Sequence, residues 1–496
     1  MNVLLLYPEF PDTFWSFKHA LKFVHKPSNS PPLGLLTVAA MLPPQWPVRL
    51  VDTNVRPLSE KDLAWADCAF VSAMGVQRRS AEALISRCKA AGVLVVAGGP
   101  LFTAQPDEFP GVDHLVLGEA EAALPRLLGD LAAGAAQPRY AAAEYPDIER
   151  SPSPRWDLVD LRRYTQMSVQ YSRGCPYDCE FCDITALYGH RPRTKSAPQM
   201  IAELDAVYAK GWRASIFFVD DNLIGNKKRL KTELLPALIE WRKGRRGVPF
   251  TTEASINLAD DAELMRLMVE AGFRAVFVGI ETPEHDGLVE CTKKQNLNRD
   301  LVADAKRIQR AGLEVMGGFI LGFDSDSPGT VDRLVDYIQR TGIVTAMVGL
   351  LQALPGTRLY ARLKREGRLN ERPTGDNVDG ETNIIPLGSL EALRRSYREV
   401  LARIYSPKAY YRRVRAFLRS YDPPRLKPRV DVGFVWEQAL AFVRSVVRLG
   451  IVGKERLQYW QLLVWTVFTR PRSLPTAITL AIYGHHFRKV FELHVG

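Results

Sequence analysis

Three cysteines within eight residues constrain this 496-residue chain more than any other feature of its sequence. Cys175, Cys179 and Cys182 follow a Gly and are separated by Pro and polar residues, so they lie on a loop. Three thiolates crowded on one loop need a metal, and iron–sulfur clusters are held by cysteine thiolates. Tetrahedral zinc draws four protein ligands, and no second cysteine pair or nearby histidine pair completes such a set. The spacing favours a [4Fe–4S] cluster with one open iron over a structural zinc loop or three unrelated buried thiols.

The C-x3-C-x2-C spacing, with the aromatic Phe181 directly before the last cysteine, resembles the radical S-adenosylmethionine (SAM) superfamily. The resemblance implies that the open iron binds the amino and carboxylate groups of SAM. It also implies that an external one-electron reductant feeds the cluster, which then cleaves SAM to methionine and a 5′-deoxyadenosyl radical. Oxygen-sensitive iron and free thiols indicate the cytoplasm. The first residues, MNVLLLYPEF, form no secretory signal.

Residues 1–135 alternate short apolar runs with helical segments, from Val3–Tyr7 to His114–Leu117. This alternation predicts a parallel sheet covered on both faces, with ligands bound outside the carboxyl ends of the strands. The segment resembles the Rossmann-like cobalamin-binding domain that precedes many radical SAM cores. The resemblance implies cobalamin contacts from residues at those strand ends, namely Pro8, Asp52, Ser72, Met74, Gln77, Gly98, Gly99, Gly118 and Glu119.

One departure from mutase-type cobalamin domains concerns the cobalt ligand. The motif D-x-H-x-x-G is absent, and His19 and His25 lie in the first long loop without that setting. Radical SAM relatives that lack the motif bind cobalamin without a protein histidine below the cobalt, so cobalamin is still predicted. The alternative is a flavodoxin-like domain that has lost its cofactor. Residues 136–165, rich in Pro and polar residues, are predicted to be a linker.

Residues 166–387 resemble the radical SAM partial (β/α)6 barrel, a TIM-type fold. Met167–Tyr171 would be the first strand, delivering the cysteine loop at its carboxyl end, where barrel chemistry is expected. Asp220 and Asp221, after the strand Ser215–Val219, match the position at which the family contacts the SAM amino group, although they could instead cap the next helix. The resemblance assigns further SAM contacts to Phe181, Glu253, Ser255, Glu281, Gly318, Ile320 and Gly322.

Two features of this region have structural alternatives. Glu281, in the G-I-E-T element, could orient SAM or form a buried ion pair with Arg274. The basic stretch from Tyr188 to Lys195 could bind an anionic substrate or the corrin amides. For Arg193 and Lys195, a solvated basic loop is the favoured interpretation.

Residues 388–496 are predicted to form a basic helical domain. They contain 20 Lys and Arg against 7 Asp and Glu, and their net charge of +13 exceeds the +11 of the whole chain. Apolar runs such as Leu457–Phe468 are shorter than the roughly 18 residues that span a bilayer. We expect weak, salt-sensitive binding to anionic membranes around Arg444–Arg472, the alternative being a helical lid with a solvated basic face. No nucleic-acid-binding motif is present, so no nucleic acid partner is predicted.

The whole arrangement resembles cobalamin-domain radical SAM proteins with a helical C-terminal extension, a group that includes the hopanoid C-2 methylases. It implies SAM- and cobalamin-dependent methylation of an unactivated carbon in a small, hydrophobic substrate. One alternative is a radical SAM enzyme that performs cyclisation, rearrangement or aminocarboxypropyl transfer with a vestigial cobalamin domain. The other is a non-catalytic cobalamin- or redox-responsive binding protein. The sequence assigns no residue to the catalytic steps beyond cofactor binding.

Overall fold

The chain begins with a six-stranded parallel sheet. The computed structural model describes residues 1–370, 372–376, 378–422 and 432–495. The strands of this sheet are β1 Val3–Tyr7, β2 Val48–Asp52, β3 Cys68–Ser72, β4 Leu94–Gly98, β5 His114–Leu117 and β6 Arg139–Ala141. Their order is β2-β1-β3-β4-β5-β6. The accompanying helices are Lys18–Leu21, Leu33–Met41, Glu60–Trp65, Arg78–Ala90, Pro100–Ala104 and Ala120–Ala133.

Both faces of this sheet are covered, as the alternation of strands and helices predicted. On β1, Val3 and Leu5 pack into one apolar core while Leu4 and Leu6 pack into another. A strand buried on both faces reads as a continuous apolar run, which explains the VLLLY sequence of β1. The strand order reverses at β1, and ligands of open parallel sheets bind in the crevice at such a switch point.

The predicted linker, residues 136–165, is more structured than its composition indicated. Arg139–Ala141 forms β6, parallel to β5, and Tyr140 is buried. The prediction missed this strand because only one of its three side chains faces the core, which leaves no apolar run in the sequence. Trp156 and Tyr164 are buried in the core of the second unit, so the segment packs against both units.

The second unit is built on another six-stranded parallel sheet. Its strands and a small ribbon are β7 Gln166–Val169, β8 Ser172–Arg173, β9 Arg193–Thr194, β10 Ser215–Phe218, β11 Phe250–Glu253, β12 Phe273–Glu281, β13 Glu314–Leu321 and β14 Ala346–Leu350. The sheet has the order β14-β13-β12-β11-β10-β7, and β8 pairs with β9 in the antiparallel ribbon. The sequential order confirms the predicted partial (β/α)6 barrel.

Helices cover the outer face of the barrel sheet. They are Ile184–Tyr188, Ala197–Ala209, Lys227–Arg229, Leu235–Arg242, Ala262–Ala271, His285–Glu290, Leu301–Arg310, Thr330–Thr341 and Arg358–Arg365, with a π-helical turn at Leu230–Leu234. On β10, Phe217 is half-buried between the buried Ile216 and Phe218. Similarly, Phe277 on β12 is half-buried between two buried valines. The side chains that face the barrel lumen therefore include aromatic residues that are only partly buried.

The C-terminal region is helical, as predicted. Its helices are Leu390–Tyr405, Pro407–Ser420, Val432–Ser445, Arg456–Thr469 and Leu474–Val495, with a π-helical segment at Val446–Val452. It is tied to the barrel, because the Tyr405 hydroxyl donates to the Ala346 carbonyl at 2.6 Å. No helix in the described part of the chain is long and apolar enough to cross a membrane.

Candidate active site

The cysteine loop leaves the carboxyl end of β7 and is closed at its base by the β8–β9 ribbon. Gly174 begins the loop at φ +90°, and a Cβ there would lie 2.8 to 3.0 Å from three backbone carbonyl oxygens. Only glycine fits this close approach. The Cys175 N–H donates to the Gly189 carbonyl at 3.2 Å, which returns the chain to the ribbon. The local backbone therefore presents the three cysteines above the barrel.

Asp220 holds the start of this loop and does not face the lumen. It is fully buried, and its carboxylate accepts hydrogen bonds from the Tyr171 N–H at 3.1 Å, the Ser172 N–H, and the Ser172 hydroxyl at 2.6 Å. Both of its oxygens accept hydrogen bonds from the start of the loop, and the contact between Asp220 and SAM stays a prediction. An acidic pair at a strand end gives no sign in the sequence of which side chain points inward.

A second polar network joins the cysteine loop to β10 and β11. The Tyr177 hydroxyl, on the loop, accepts from Asn257 Nδ2 at 2.7 Å. Asn257 Oδ1 in turn accepts from the Ser255 hydroxyl at 2.7 Å, and Asn222 Oδ1 accepts from the Ser255 N–H at 3.2 Å. Ser255, predicted to contact SAM, thus has a structural role in anchoring the loop. These hydrogen bonds fix the loop without any cofactor.

The three loop thiols lie close enough to influence one another. Burial, reinforced by the nearby Cys179 thiol, raises the pKa of Cys175 and of Cys182. Gln295 Nε2 lies 3.7 Å from Cys179 Sγ, so an amide donor faces the sulfur. No three His, Cys, Asp or Glu side chains among the described residues converge on a single metal ion. The arrangement fits an iron–sulfur cluster, in which each thiolate binds a different iron, better than a one-ion zinc site.

Glu281 forms a buried ion pair, but with Lys293 and not with Arg274. Lys293 Nζ lies 2.6 Å from Glu281 Oε1, and both side chains are largely buried. Glu281 has φ +65°, a strained conformation for a non-glycine residue. A Cβ at Gly279 would collide with the Glu281 carboxylate and would lie 2.8 Å from Lys293 Nζ, which explains the glycine of this element. Sequence reasoning missed Lys293 because its partner lies on the preceding strand.

Asp221 and Glu253 are two acidic groups near the loop. Asp221 Oδ2 is buried, and no hydrogen-bond partner lies beside it among the described residues. Burial, followed by the nearby Asp220 and Asp183 carboxylates, raises the pKa of Asp221 to about 7. Burial and the nearby Asp221 and Asp220 raise the pKa of Glu253 to about 8. An orphaned buried carboxylate suits a bound cation, and the ammonium group of SAM is one.

The predicted adenine-flanking strand, β13, has packing reasons for its glycines. A Cβ at Gly318 would lie 2.7 Å from the Phe277 ring. Gly322 has φ +101°, and its N–H donates to Asp326 Oδ2 at 2.7 Å. Ile320 is half-buried in the small apolar cluster that also contains Phe181, which places this strand beside the cysteine loop. The adenine contact stays a prediction for these residues.

At the ligand-binding edge of the first sheet, backbone approaches closely. Gly99 has φ +92°, and a Cβ there would lie 2.7 Å from Ser72 Oγ. A Cβ at Gly98 would lie 3.0 Å from a backbone oxygen of β5, whereas Gly118, at φ +77°, faces open space. The Met74 side chain is 51% exposed beside them. Gly98 and Gly99 thus allow close packing within the protein, and Gly118 lies beside open space. The cobalamin contacts of these residues stay predictions.

Two other predicted cobalamin residues are occupied within the protein. Asp52 accepts from the Asn54 N–H at 2.9 Å and from the Tyr164 hydroxyl at 3.0 Å. Gln77 is fully buried and donates to the Pro8 carbonyl at 2.6 Å across the switch point. The cobalamin contacts of Asp52 and Gln77 stay predictions, although both side chains already make hydrogen bonds within the protein. Polar residues at strand ends can equally well bind the neighbouring loop.

Glu119, also predicted to bind cobalamin, instead joins the two sheets through a buried ion-pair network. Arg173 Nη1 lies 2.6 Å from Glu119 Oε2, and Arg173 Nη2 lies 2.8 Å from Glu121 Oε1. Arg193 Nη2 lies 2.5 Å from Glu119 Oε1. The Glu119 side chain is only 2% exposed. We call these four side chains the latch, since they fix the base of the cysteine loop to the edge of the first sheet.

The latch corrects the interpretation of the basic stretch after the cysteines. Arg193 is not solvated, because it belongs to the latch. Lys195 is also buried and lies 2.5 Å from Glu203 Oε1. Glu119, the partner of Arg193, is distant in sequence, and Glu203, the partner of Lys195, lies on the following helix. A local charge pattern could therefore not reveal either pair. Arg193 and Lys195 therefore position the loop, and their charges are neutralised by Glu119 and Glu203.

Comparison with known proteins agrees with this architecture. The sequence profile of the B12 binding domain matches residues 24–128, and that of the radical SAM superfamily matches residues 169–338. A domain of unknown function (DUF4070) matches residues 357–495. An uncharacterized methyltransferase of Synechocystis sp. is 43% identical over 99% of this chain and 92% of its own length. The hopanoid C-2 methylase of Rhodopseudomonas palustris is 36% identical over 93% of this chain and 88% of its own length.

Solved structures support the fold. The radical SAM methyltransferase TsrM of Kitasatospora setae, determined with cobalamin and a [4Fe–4S] cluster, has a TM-score of 0.59 at 16% identity, covering 99% of this chain and 100% of that one. The cobalamin-dependent radical SAM enzyme OxsB, determined with aqua-cobalamin and SAM, has a TM-score of 0.63 at 14% identity, covering 100% of this chain and 80% of that one.

Proposed function

Because the chain belongs to the cobalamin-dependent radical SAM methyltransferases, we propose that it methylates an unactivated carbon at a site between the cysteine loop and the edge of the first sheet. The observation that carries this proposal is the latch, in which Arg173 and Arg193 of the barrel pair with Glu119 of the first sheet. The latch brings the proposed cluster position and the proposed cobalamin position to one interface.

Different residues of the chain would bind the different cofactors. Cys175, Cys179 and Cys182 would hold the cluster, while the carboxylates of Asp221 and Glu253 would face the SAM ammonium group. Among the described residues, no hydrogen-bond partner lies at Asp221 Oδ2. When bound, cluster and SAM supply the radical and cobalamin supplies the methyl group. The protein positions these groups and excludes water. We propose residues 1–135, extended by β6, as the cobalamin unit, and residues 166–387 and 388–496 as the barrel and helical units.

The electron for SAM cleavage would come from an external one-electron reductant. The other cysteines, Cys68, Cys88 and Cys291, are buried, and Cys68 and Cys88 belong to the two cores of the first sheet. They therefore offer no second cluster loop. A small reductant or a reduced redox protein would have to deliver the electron at the barrel.

The cysteine assignment can be tested by replacing Cys175, Cys179 and Cys182 together with Ala. The anaerobically reconstituted wild-type protein should hold about four irons and form 5′-deoxyadenosine from SAM, and the triple variant should do neither. Cys291→Ala is the matched control, because Cys291 is a buried thiol near the loop that donates to the Leu288 carbonyl. Iron binding and SAM cleavage that survive in the triple variant would overturn the assignment.

For the substrate, we propose an apolar polycyclic compound of the hopanoid class. The relative from Rhodopseudomonas palustris is named a hopanoid C-2 methylase and aligns with 93% of this chain. The half-buried Phe217 and Phe277 give the barrel lumen an apolar lining. Anaerobic incubation with SAM, cobalamin, reductant and an unmethylated hopanoid should yield a product heavier by one methylene, detected by mass spectrometry. A rearranged product of unchanged mass would favour a non-methylating radical SAM enzyme.

We also propose peripheral association with anionic membranes through two exposed apolar stripes of the helical unit. One stripe runs along the helices of residues 432–452 and the other along Arg456–Thr469. Their exposed members are Trp436, Phe442, Val443, Val447, Ile451, Val452, Leu457, Trp460, Val464, Val467 and Phe468. Trp460 Nε1 donates to the Gly450 carbonyl at 3.0 Å, so the two helices are in contact. Apolar and aromatic side chains that are exposed in this number suit a headgroup boundary.

The cations predicted to face the membrane divide into two groups. Arg444 donates to the Phe23 carbonyl at 2.7 Å, and Arg448 donates to His485 Nε2 at 3.1 Å, so both are engaged in contacts within the protein. Lys454, Arg456 and Arg472 are exposed beside the apolar stripes. Membrane binding should therefore depend more on the apolar side chains, and less on salt, than net charge alone indicates.

Flotation with anionic and neutral liposomes tests this association. The wild-type protein should float with anionic liposomes, and the variant Ile451→Asp with Phe468→Asp should remain at the bottom. Leu387→Asp is the matched control, since Leu387 is 73% exposed but lies outside both stripes. If none of the three proteins floats and the wild type binds tRNA tightly, the partner is nucleic acid and the membrane proposal fails.

A further inference from the structure

The open side of the barrel is spanned by residues 10–30, which we call the N-terminal strap. The barrel sheet has two unpaired edges, β14 and β7. At one end of the strap, Trp15 Nε1 donates to Met347 Sδ of β14 at 3.0 Å. At the other end, the Asn29 carbonyl accepts from the N–H of Gln166, the first residue of β7, at 3.0 Å. The strap therefore bridges the gap between the two edge strands.

The C-terminal helix Leu474–Val495 holds the strap from outside. The rings of Phe14 and Phe487 stack with centroids 4.1 Å apart. His486 Nε2 lies 2.9 Å from the Phe14 carbonyl, and burial lowers the pKa of His486 to about 4, so the ring is neutral. A buried neutral donor and a stacked aromatic pair fix the strap in one position.

Trp15 reaches from the strap into the lumen. Its indole lies edge-on to the Phe277 ring of β12, with centroids 5.3 Å apart and an interplanar angle of 85°. Phe277 has room for this contact because Gly318, on the neighbouring strand β13, has no Cβ. Trp15, Phe277, Met316 and Met347 are all only half-buried, although they lie inside the barrel. They form an apolar wall whose side chains remain partly accessible.

We propose that Trp15 determines substrate specificity by forming, with Phe277 and Met347, the wall against which an apolar polycyclic substrate lies. This inference rests on the proposed function, because it assigns a binding surface to that substrate. A flat aromatic side chain on a short rigid strap contacts a flat hydrocarbon over a large area with little loss of conformational freedom. The strap also confines the substrate to the lumen below the cysteine loop.

The test compares the reconstituted wild-type protein with Trp15→Ala and Trp15→Phe, and uses Leu387→Ala as control, since Leu387 is exposed and lies outside both apolar stripes. KM and kcat are measured for an unmethylated hopanoid, and equilibrium dialysis measures binding of pyrene, an apolar polycyclic probe. Trp15→Ala should raise KM and weaken pyrene binding roughly tenfold. Trp15→Phe should change both much less, and Leu387→Ala should change neither. Formation of 5′-deoxyadenosine without substrate should be unchanged in all variants.

The outcomes separate this inference from the proposed function. If the wild type methylates the hopanoid and Trp15→Ala has unchanged KM and pyrene affinity, the wall assignment is overturned while the function stands. If no hopanoid is methylated, the proposed substrate class is wrong. The pyrene affinities of the wild type and Trp15→Ala then still test whether Trp15 forms an apolar binding wall. Equal loss of 5′-deoxyadenosine formation in Trp15→Ala would show a general structural role and overturn the inference. Should Trp15→Ala not fold, Phe277→Leu tests the same wall from the barrel side.

Discussion

Replacing Arg173 by Met should open the latch and free the base of the cysteine loop. Arg173 is the only described cation paired with Glu121, whose carboxylate would retain just the Ser151 hydroxyl at 2.7 Å. The Glu121 side chain is 7% exposed, so the variant buries an uncompensated charge. Breaking a buried pair in this way costs about 3–5 kcal/mol.

The shifted pKa of Glu121 gives a second value for the free energy with which the ion pair stabilises the folded protein. Despite burial, the pairing with Arg173 lowers the pKa of Glu121 from its ordinary value of 4.5 to about 2. A difference of this size corresponds to about 3 kcal/mol. Because the folded-state pKa is depressed, this stabilisation is present above the ordinary pKa and is lost as the pH falls through about 2. In Arg173→Met, burial without a cation favours the protonated form of Glu121. The difference in free energy of unfolding between the wild type and the variant should therefore become smaller as the pH is lowered from about 7 to about 4.

Hydrogen exchange measured by mass spectrometry is the direct assay. Urea unfolding at about pH 7 and about pH 4 checks whether the stability difference becomes smaller at the lower pH. Peptides that cover residues 117–121 and 171–174 should lose protection roughly 10²- to 10³-fold in Arg173→Met, because each 1.4 kcal/mol is a factor of about ten. Arg155→Met is the matched control, since its pair with Asp157 is exposed and worth about 0–1 kcal/mol.

A double variant completes the design. Adding Glu121→Gln to Arg173→Met removes the orphaned charge and should restore at least half of the lost protection. Less than tenfold loss in Arg173→Met, or equal loss in Arg155→Met, would refute the argument that the buried latch fixes the cysteine loop.

Three further predictions concern other parts of the site. Gly99→Ala should reduce cobalamin uptake, measured by absorption of the bound cofactor, because its Cβ would meet Ser72 Oγ. Gly129→Ala, in the helix Ala120–Ala133 and with open space around it, should retain uptake. Bound Co(II) cobalamin should show no nitrogen superhyperfine coupling from a protein ligand in electron paramagnetic resonance, and such coupling would identify a histidine that we have not assigned. Glu203→Leu should lower stability by about 3–5 kcal/mol in chemical unfolding, since Lys195 would be buried without its partner.

The sequence was most informative where the signal is local. The continuous apolar run of β1 and the three-residue and two-residue spacings between the cysteines each depend on neighbouring positions only. The apolar runs Val3–Tyr7 and His114–Leu117 were predicted with the bounds that the strands show in the structure. Strand β6 was missed because three residues with one buried side chain contain too little periodicity to detect.

Long-range polar pairing could not be predicted. Arg173 and Glu119 are 54 residues apart, and the strap residue Trp15 contacts Met347 across 332 residues. Charge composition was also misleading in the helical unit. Arg413 contributes to its net charge, yet it is fully buried and donates to the carbonyls of Ile404 and Val344. A charge count records which groups are present but not which of them reach the surface.

Hydrogen-bond accounting separates structural carboxylates from those available to ligands, even for neighbours in sequence. Asp220 receives three hydrogen bonds from the start of the cysteine loop, whereas Oδ2 of Asp221 is buried without a partner. Buried polar atoms in folded proteins almost always have partners, so an orphan beside a proposed cofactor position marks where a ligand belongs. Gln295 Oε1 is likewise buried without a partner, on a side chain that faces Cys179. Asp220 thus fixes the start of the loop, whereas Asp221 and Gln295 are the two side chains near it that we expect to gain partners when the cofactors bind.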